Sequence, residues 1–290
     1  MVILVALKSF QKNVYSQNGE DGLIQEILAR ISKKHPVNKW CVEFGAWDGV
    51  YLSNTCRLIR EEGYSAVLIE GDSQKVKQLE ANFPQANVHK LCEFVSVEGK
   101  KTLENLLAKT PIPHDFDFLS VDIDGMDYHV LDSFKAYKPK IICIEFNPTI
   151  PNILDFVQPR DFSVKQGSSA SALVRLANSK GYALVEATQC NLLFVRQDLV
   201  DGVVDQSVRL QDVNLAGNHP QFIFAGFDGT ILSNRPDIRL PWHAISVPMS
   251  ALQFLPKMLR TYTLDYSPAQ TEEFKKLLGI LSKVKSKADE

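Results

Sequence analysis

Acidic residues recur where short apolar runs of the sequence come to an end, and they are the residues best placed to do chemistry. Four such runs, each rich in residues that favour β-strands, carry an acid at or near the carboxyl end. The acids are Glu43, Glu70, Asp122, Asp124 and Glu145. Because ligands of parallel α/β sheets bind outside the carboxyl ends of the strands, we expect these acids to converge at one edge. Their mutual repulsion predicts a positively charged or hydrogen-bond-donating ligand there.

The turn after the first of these runs argues against a dinucleotide ligand. It reads E-F-G-A-W-D-G, and Gly45 and Gly49 permit a tight bend beside a ligand. A phosphate-binding fingerprint needs glycine where this chain has Trp47, and the carboxylate of Asp48 would repel a pyrophosphate. S-adenosylmethionine suits the pattern better, because it carries an ammonium, a sulfonium and a ribose diol that Glu70 can bind.

The elements that must position these residues alternate strand with helix from residue 15 to about 197. Strands are predicted at 40–45, 66–70, 87–91, 116–124 and 140–146, and the segment 167–196 reads as a helix followed by a hairpin of two strands. Amphipathic stretches separate the strands. The pattern predicts an α/β fold with a seven-stranded, mostly parallel sheet that has helices on both faces.

The predicted helix boundaries rest on capping residues. Ser16 or Asn18 is predicted to cap the first helix, with Glu20 and Asp21 in its first turn. Its buried stripe is predicted to be Leu23, Ile24, Ile27, Leu28 and Ile31. Asp127 is predicted to start the helix that follows the fourth strand.

The alternation of strand and helix stops near residue 200. We therefore predict a ligand-binding domain at 1–200 and a C-terminal extension at 201–290. The extension ends in an amphipathic helix that begins at Ser267, which has capping-box spacing to Gln270. The apolar stripe of this helix leaves a homo-oligomer open.

Composition narrows the class of protein further. The chain has 290 residues, and 32 Lys plus Arg against 34 Asp plus Glu give a net charge of −2, which argues against nucleic acid as a partner. Its five cysteines are scattered singly, a pattern typical of reduced thiols and not of a disulfide framework or a zinc site. The N-terminal apolar run is only seven residues long, too short for a membrane span and without the basic leader of a signal peptide. A soluble, cytoplasmic protein without a membrane partner is expected.

Six sequence motifs resemble the class I S-adenosylmethionine-dependent methyltransferases, and within them the FkbM-like family. The motifs are YSQNGEDG (15–22), VEFGAWDG (42–49), SNT (53–55), LIEGD (68–72), VDIDGMDYHVL (121–131) and SSASALVRLANSKGYALV (168–185). The resemblance covers about residues 15 to 197 and implies the Rossmann-like methyltransferase fold, with the last strand antiparallel. Two positions depart from the family pattern: Trp47 replaces a small residue, and D-I-D-G stands in place of D-x-E-G.

The resemblance also implies roles for particular residues. Glu43, Gly45 and Gly49 would form the cofactor loop, Glu70 would hold the ribose, and Asp122 would face the methionine end and the acceptor. Gln17, Asp21 and Asn54, which lie in the other motifs, complete the predicted cofactor-binding set.

Methylation of an alcohol requires removal of its proton, by a base or through a metal that lowers its pKa. The predicted catalytic residues are Asp122, Asp124, Glu145 and His129, of which His129 is the nearest nitrogen base but is expected on the solvent face of the next helix. The oxygens of Asp122, Asp124 and Glu145 also suit Mg²⁺, so this ion stays open as a second cofactor.

These observations predict an S-adenosylmethionine-dependent methyltransferase (EC 2.1.1.-). The predicted acceptor is a small molecule, and the predicted acceptor atom is an oxygen of a carbohydrate or another natural product. Two alternatives stay open: a metal-dependent sugar-nucleotide transferase that uses Asp122 and Asp124 as ligands, and a non-catalytic cofactor-binding module.

Overall fold

A computed structural model of the chain describes residues 4–205, 208–211 and 221–288. The chain forms two compact units, Met1–His219 and Pro220–Glu290. The division of roles between 1–200 and 201–290 stays a prediction.

The first unit is built on one seven-stranded sheet, in the spatial order β3-β2-β1-β4-β5-β7-β6. Its strands are β1 (Trp40–Phe44), β2 (Ser65–Glu70), β3 (Val88–Cys92), β4 (Phe118–Val121), β5 (Ile141–Glu145), β6 (Tyr182–Ala187) and β7 (Asn191–Arg196). The first five strands are parallel, and β7 runs antiparallel to both β5 and β6. The predicted α/β class, the seven strands and the antiparallel last strand are confirmed.

Helices cover both faces of this sheet. They are α1 (Glu20–Ser32), α2 (Cys56–Glu62), α3 (Ser73–Asn82), α4 (Leu103–Leu107), α5 (Asp127–Ser133) and α6 (Ala170–Ser179). Alternate residues of a strand point to opposite faces, and accordingly Val42 and Phe44 belong to one apolar cluster while Cys41 belongs to the other. The predicted apolar stripe of α1 is buried in the second cluster.

The start of α1 differs from the prediction. Its N-cap is Gly19, in the left-handed conformation at φ 96°, a residue with no side chain that could accept a hydrogen bond. Ser16 still bonds the first turn from outside the N-cap position, because its Oγ accepts a hydrogen bond from the Asp21 backbone amide at 3.0 Å. The backbone amide of Asn18 donates to Glu20 Oε2 at 2.7 Å. The N-cap position is therefore Gly19 and neither Ser16 nor Asn18, whereas the two acids do lie in the first turn as predicted.

Strand β4 is shorter than predicted. It ends at Val121, so Asp122 and Asp124 lie in the loop that follows the strand. The chain turns there because the Asp127 carboxylate accepts hydrogen bonds from the Ile123 and Gly125 amides, both at 2.9 Å. Asp127 is the first residue of α5, as predicted.

The second unit contains two small hairpins and a long helix. Strand β8 (Ile223–Ala225) pairs with β9 (Ile231–Ser233), β10 (Asp237–Leu240) pairs with β11 (Ile245–Pro248), and α7 spans Pro268–Ala288. The predicted capping box is present, because the Ser267 amide donates to Gln270 Oε1 and the Gln270 amide donates to Ser267 Oγ. None of the described helices is long and apolar enough to cross a membrane.

Candidate functional site

A cavity of about 480 Å³ lies at the carboxyl edge of strands β1, β2, β4 and β5. Six acidic residues line it: Glu43, Glu70, Glu93, Asp122, Asp124 and Glu145. Among its described lining residues the one basic side chain is Lys165. The five acids singled out in the sequence therefore do meet at one cavity.

Glu43 holds the loop that follows the glycine turn, which is the turn between Gly45 and Gly49. Its carboxylate accepts hydrogen bonds from Ser53 Oγ at 2.6 Å, Thr55 Oγ1 at 2.6 Å and the Asn54 amide nitrogen at 2.8 Å. Burial raises the pKa of Glu43, and these three hydrogen bonds oppose the rise. The Asn54 side chain is buried and donates to Ser120 Oγ at 3.1 Å. Glu43 thus shapes one wall of the cavity, and Asn54 ties that wall to β4.

Glu70 ends β2 and holds the glycine turn from the other side. Its Oε2 accepts from the Trp47 amide at 2.9 Å, and its Oε1 accepts from the Asp72 amide at 2.8 Å. Each carboxylate oxygen can accept two hydrogen bonds, so both oxygens keep capacity for a ligand.

The two glycines of the turn are required by close packing. A Cβ at Gly45, which has φ 75°, would lie 1.9 Å from the carbonyl oxygen of Asp122. A Cβ at Gly49, which has φ 77°, would lie 2.5 Å from the side chains of Leu79 and Phe83. Gly45 lines the cavity itself, whereas Gly49 lets the turn pack onto α3.

The N-terminal motif brings one polar side chain to the cavity. Gln17 lines it, but Asp21 is buried, and its Oδ2 accepts from the backbone amides of Val14, Tyr15 and Ser16 at 2.7 to 2.8 Å. The contacts of Asp21 therefore fix the segment that presents Gln17.

Asp122, Asp124 and Glu145 form the most crowded group of acids in the cavity. One carboxylate oxygen from each lies within 4.8 Å of the other two. Burial, followed by repulsion from neighbouring carboxylates, raises the pKa values of both Asp122 and Glu145, and these two carboxyls are hydrogen-bonded to each other. The pair therefore keeps a proton above the ordinary carboxyl range.

Asp127 positions this group without lining the cavity. Its two hydrogen bonds shape the loop in which Asp124 adopts the left-handed conformation at φ 56°. Burial raises the pKa of Asp127 to about 6. The sequence pattern predicted only a helix start at Asp127, although its place in D-I-D-G-M-D could have signalled the loop contact.

His129 lies apart from the other predicted catalytic residues. It is not among the described residues that line the 480 Å³ cavity. Its Nε2 is 2.9 Å from the carbonyl oxygen of Gln158, and its ring lines a different hollow together with Asp132 and Arg160. The structure brings Asp122, Asp124 and Glu145 together, and it does not bring His129 to them.

The loop after β5 supplies cavity residues that the sequence analysis did not single out. Phe162 and Lys165 line the cavity from this loop. The buried side chain of Gln158 holds the loop, because its Nε2 donates to the Val164 carbonyl at 3.1 Å and its Oε1 accepts from the Gly167 amide at 2.9 Å. The sequence shows no periodicity here that could have marked these residues.

Exposed aromatic rings border the same cavity. The exposed fractions are 47% for Trp47, 63% for Tyr51, 73% for Phe94 and 45% for Phe162. Trp47 has φ 51°, and the ammonium of Lys75 lies 3.9 Å from the centre of its ring. The mouth of the cavity thus combines apolar ring surface with an acidic floor.

Comparison with known protein families identifies one domain. Residues 97–164 match the methyltransferase FkbM domain, which confirms the resemblance stated from the sequence motifs. The matched range contains the loop with Asp122 and Asp124, as well as Glu145. No curated protein matches the chain.

Several solved structures are similar to parts of the chain. The citrinin polyketide synthase CMeT domain is 14% identical with a TM-score of 0.41, and the match covers 63% of this chain and 54% of that one. A TehB-like SAM-dependent methyltransferase from Corynebacterium glutamicum ATCC 13032 is 11% identical over 66% of this chain and 92% of that one, with a TM-score of 0.37. CalS10, an amino pentose methyltransferase from Micromonospora echinaspora, is 11% identical over 64% of this chain and 99% of that one, with a TM-score of 0.37.

Proposed function

We propose that this chain is an S-adenosylmethionine-dependent methyltransferase that methylates an oxygen of a small carbohydrate or another natural product. The observation that carries the proposal is the cavity at the carboxyl edge of β1, β2, β4 and β5, where six acids and one lysine line it among the residues described. Part of this cavity belongs to the segment that matches the FkbM methyltransferase domain.

The residues present fit S-adenosylmethionine. The volume of about 480 Å³ falls in the usual range of small-molecule sites. Glu70 keeps lone pairs for the two ribose hydroxyls. Phe94 packs on Gly71, where a Cβ would lie 2.3 Å from the ring, and so offers an exposed aromatic face to the adenine. The acids near β1 and β4 suit the ammonium and the sulfonium.

Residues of the chain orient the donor and accept the proton that the acceptor hydroxyl loses. Bound S-adenosylmethionine supplies an activated methyl group on a sulfonium. The glycine turn and the loop held by Glu43 fix the donor side, and alignment of donor and acceptor accounts for much of the acceleration of such transfers. The ionised carboxyl of the Asp122–Glu145 pair accepts the proton of the acceptor hydroxyl.

The aromatic border of the cavity supports an acceptor with a ring. Trp47, Tyr51 and Phe162 expose ring faces on which a sugar or an aromatic natural product can stack. All five cysteines are free, which supports the cytoplasmic location as part of this proposal.

A second cofactor, Mg²⁺, is part of the proposal because of one observation. The oxygens of Asp122, Asp124 and Glu145 lie within 4.8 Å of one another, and oxygen ligands are those that Mg²⁺ prefers. If bound, the ion would lower the pKa of an acceptor hydroxyl.

Calorimetric titration of the purified chain tests the proposal. S-adenosylmethionine and S-adenosylhomocysteine are expected to bind, and NAD⁺ and a nucleotide sugar are not. Glu70→Ala should weaken both adenosyl ligands by about tenfold, since hydrogen bonds to a charged group are lost. Glu61→Ala, at an exposed acid of α2, is the matched control and should leave binding unchanged. Binding of NAD⁺ or the nucleotide sugar without either adenosyl ligand would overturn the proposal.

A further inference from the structure

Most of the charged residues that line the cavity are acidic, and one group of the proposed donor, its carboxylate, is also negatively charged. Six acidic residues and one lysine are the charged residues that line the cavity within the part of the chain that the structure describes. S-adenosylmethionine carries a carboxylate as well as its ammonium and sulfonium. In this surrounding the carboxylate would be repelled unless a cation pairs with it.

Lys165 lies at the β4 end of the cavity. Its Nζ is 3.3 Å from the carbonyl oxygen of Ile123, the residue between Asp122 and Asp124 in the loop after β4. This contact uses one of the three hydrogens of the ammonium and leaves two for a ligand. Since the sheet order is β2-β1-β4, the end of β4 lies about 10 Å from the end of β2, where Glu70 stands. A donor whose ribose binds Glu70 extends its amino-acid portion across β1 in the direction of Lys165.

The segment that carries Lys165 is held in place. Gln158 is 1% exposed, and its side-chain amide bonds the backbone of Val164, Gln166 and Gly167. A Cβ at Gly125 would lie 2.9 Å from Gln158 Oε1, so this loop packs directly on the loop after β4. These contacts fix the backbone on both sides of Lys165 beside the loop that carries Asp122.

We infer that Lys165 binds the carboxylate of the donor's methionine portion and is the counter-charge that lets an acidic cavity accept this zwitterionic group. The inference rests on the proposed function, and it names a binding residue outside the motifs that predicted the site. Its chemistry is an ammonium–carboxylate hydrogen bond, with no covalent step.

Calorimetry with two probe ligands that differ only in the carboxylate measures how much this group contributes to binding. S-adenosylhomocysteine has it, and S-adenosyl-3-thiopropylamine keeps the amine but lacks the carboxylate. The wild-type chain should bind the first about tenfold more tightly than the second, the usual size of a charge-assisted hydrogen bond. Lys165→Ala should abolish this preference by weakening S-adenosylhomocysteine alone, and Lys165→Arg should keep most of it.

Lys75→Ala is the matched control, because it removes a cation of α3 that packs on Trp47, another residue of the cavity lining. It should leave the preference between the two probes unchanged. Equal loss for both probes in Lys165→Ala, or no loss for either, overturns the inference. So does a wild-type chain that binds both probes equally well, and in that case the proposed function stands. A wild-type chain that binds neither probe overturns both.

Discussion

Two groups of acids share the carboxyl edge of the sheet, and their surroundings differ. On the β1 side, the Glu43 carboxylate accepts three hydrogen bonds at 2.6 to 2.8 Å, and the nearby Asp21 accepts three from backbone amides. On the β4 and β5 side, Asp122 and Glu145 face each other, and burial and repulsion raise their pKa values. The acids of the first group make their hydrogen bonds within the protein and hold loops, although Glu43 also lines the cavity. The acids of the second group repel each other beside the cavity.

Acidic residues at the carboxyl edge of the sheet therefore serve two purposes. A buried carboxylate whose hydrogen bonds are made within the protein stabilises its surroundings. A carboxylate with a raised pKa and a cavity in front of it can bind or move a proton. Substitutions in the two groups are therefore expected to have opposite effects on stability.

The largest effect is expected at Glu43. Glu43→Ala leaves two buried hydroxyls and an amide without their acceptor, and it should lower the free energy of unfolding by about 3 kcal/mol. Urea denaturation followed by circular dichroism measures this loss. Glu61→Ala, at an exposed acid, should cost less than about 0.5 kcal/mol. A loss at Glu43 no larger than that at Glu61 would contradict a structural role.

A smaller effect, of opposite sign, is expected at the Asp122–Glu145 pair. The pKa values of both are raised in the folded state, so the folded chain binds more protons than the unfolded chain, and stability is lost as pH rises above the ordinary carboxyl range. Asp122→Asn or Glu145→Gln removes one of the repelling charges. Either variant should gain about 1 kcal/mol over the wild type between pH 5 and pH 9.

Thermal unfolding at the two pH values checks this prediction. The Asp198→Asn variant, at an acid whose pKa is lowered by a hydrogen bond to Arg196, is the control and should gain nothing at pH 9. If the difference in stability between variant and wild type were the same at both pH values, the two carboxylates would not repel each other in the folded chain.

The smallest effect is expected from Mg²⁺. Binding at Asp122, Asp124 and Glu145 must displace the shared proton, so millimolar Mg²⁺ should raise the melting temperature of the wild type by about 1 to 2 °C at pH 8.5 and by less at pH 6. Asp124→Asn should remove the rise. An equal rise in wild type and variant would place the ion elsewhere.

Much of the fold could be predicted because it depends on local pattern. The β-branched runs and amphipathic stretches predicted the seven strands and the helices on both faces, and their order predicted the edge where the acids meet. The pattern could not show which acids were already hydrogen-bonded, since the partners of Glu43 come from a loop that follows it by ten residues.

The other features that the sequence did not predict have physical causes of the same kind. The N-cap of α1 is Gly19 in the left-handed conformation, and Ser16 reaches the Asp21 amide from outside the N-cap position. Lys165 reaches the cavity through a loop that buried Gln158 holds, and neither residue belongs to a periodic segment. Contacts made by single side chains across an irregular loop leave no periodic trace in a sequence.

A crystal structure with S-adenosylhomocysteine would show where the adenosyl group binds relative to the acids at the edge of the sheet. The account predicts an adenosyl ligand in the cavity, with ribose hydroxyls within hydrogen-bond distance of Glu70 and its amino-acid portion at the end of β4 near Asp122. It also predicts that Glu43 keeps its three hydrogen bonds to the loop. An adenosyl ligand bound outside this cavity, or one that leaves Glu70 without a ribose contact, would contradict the account.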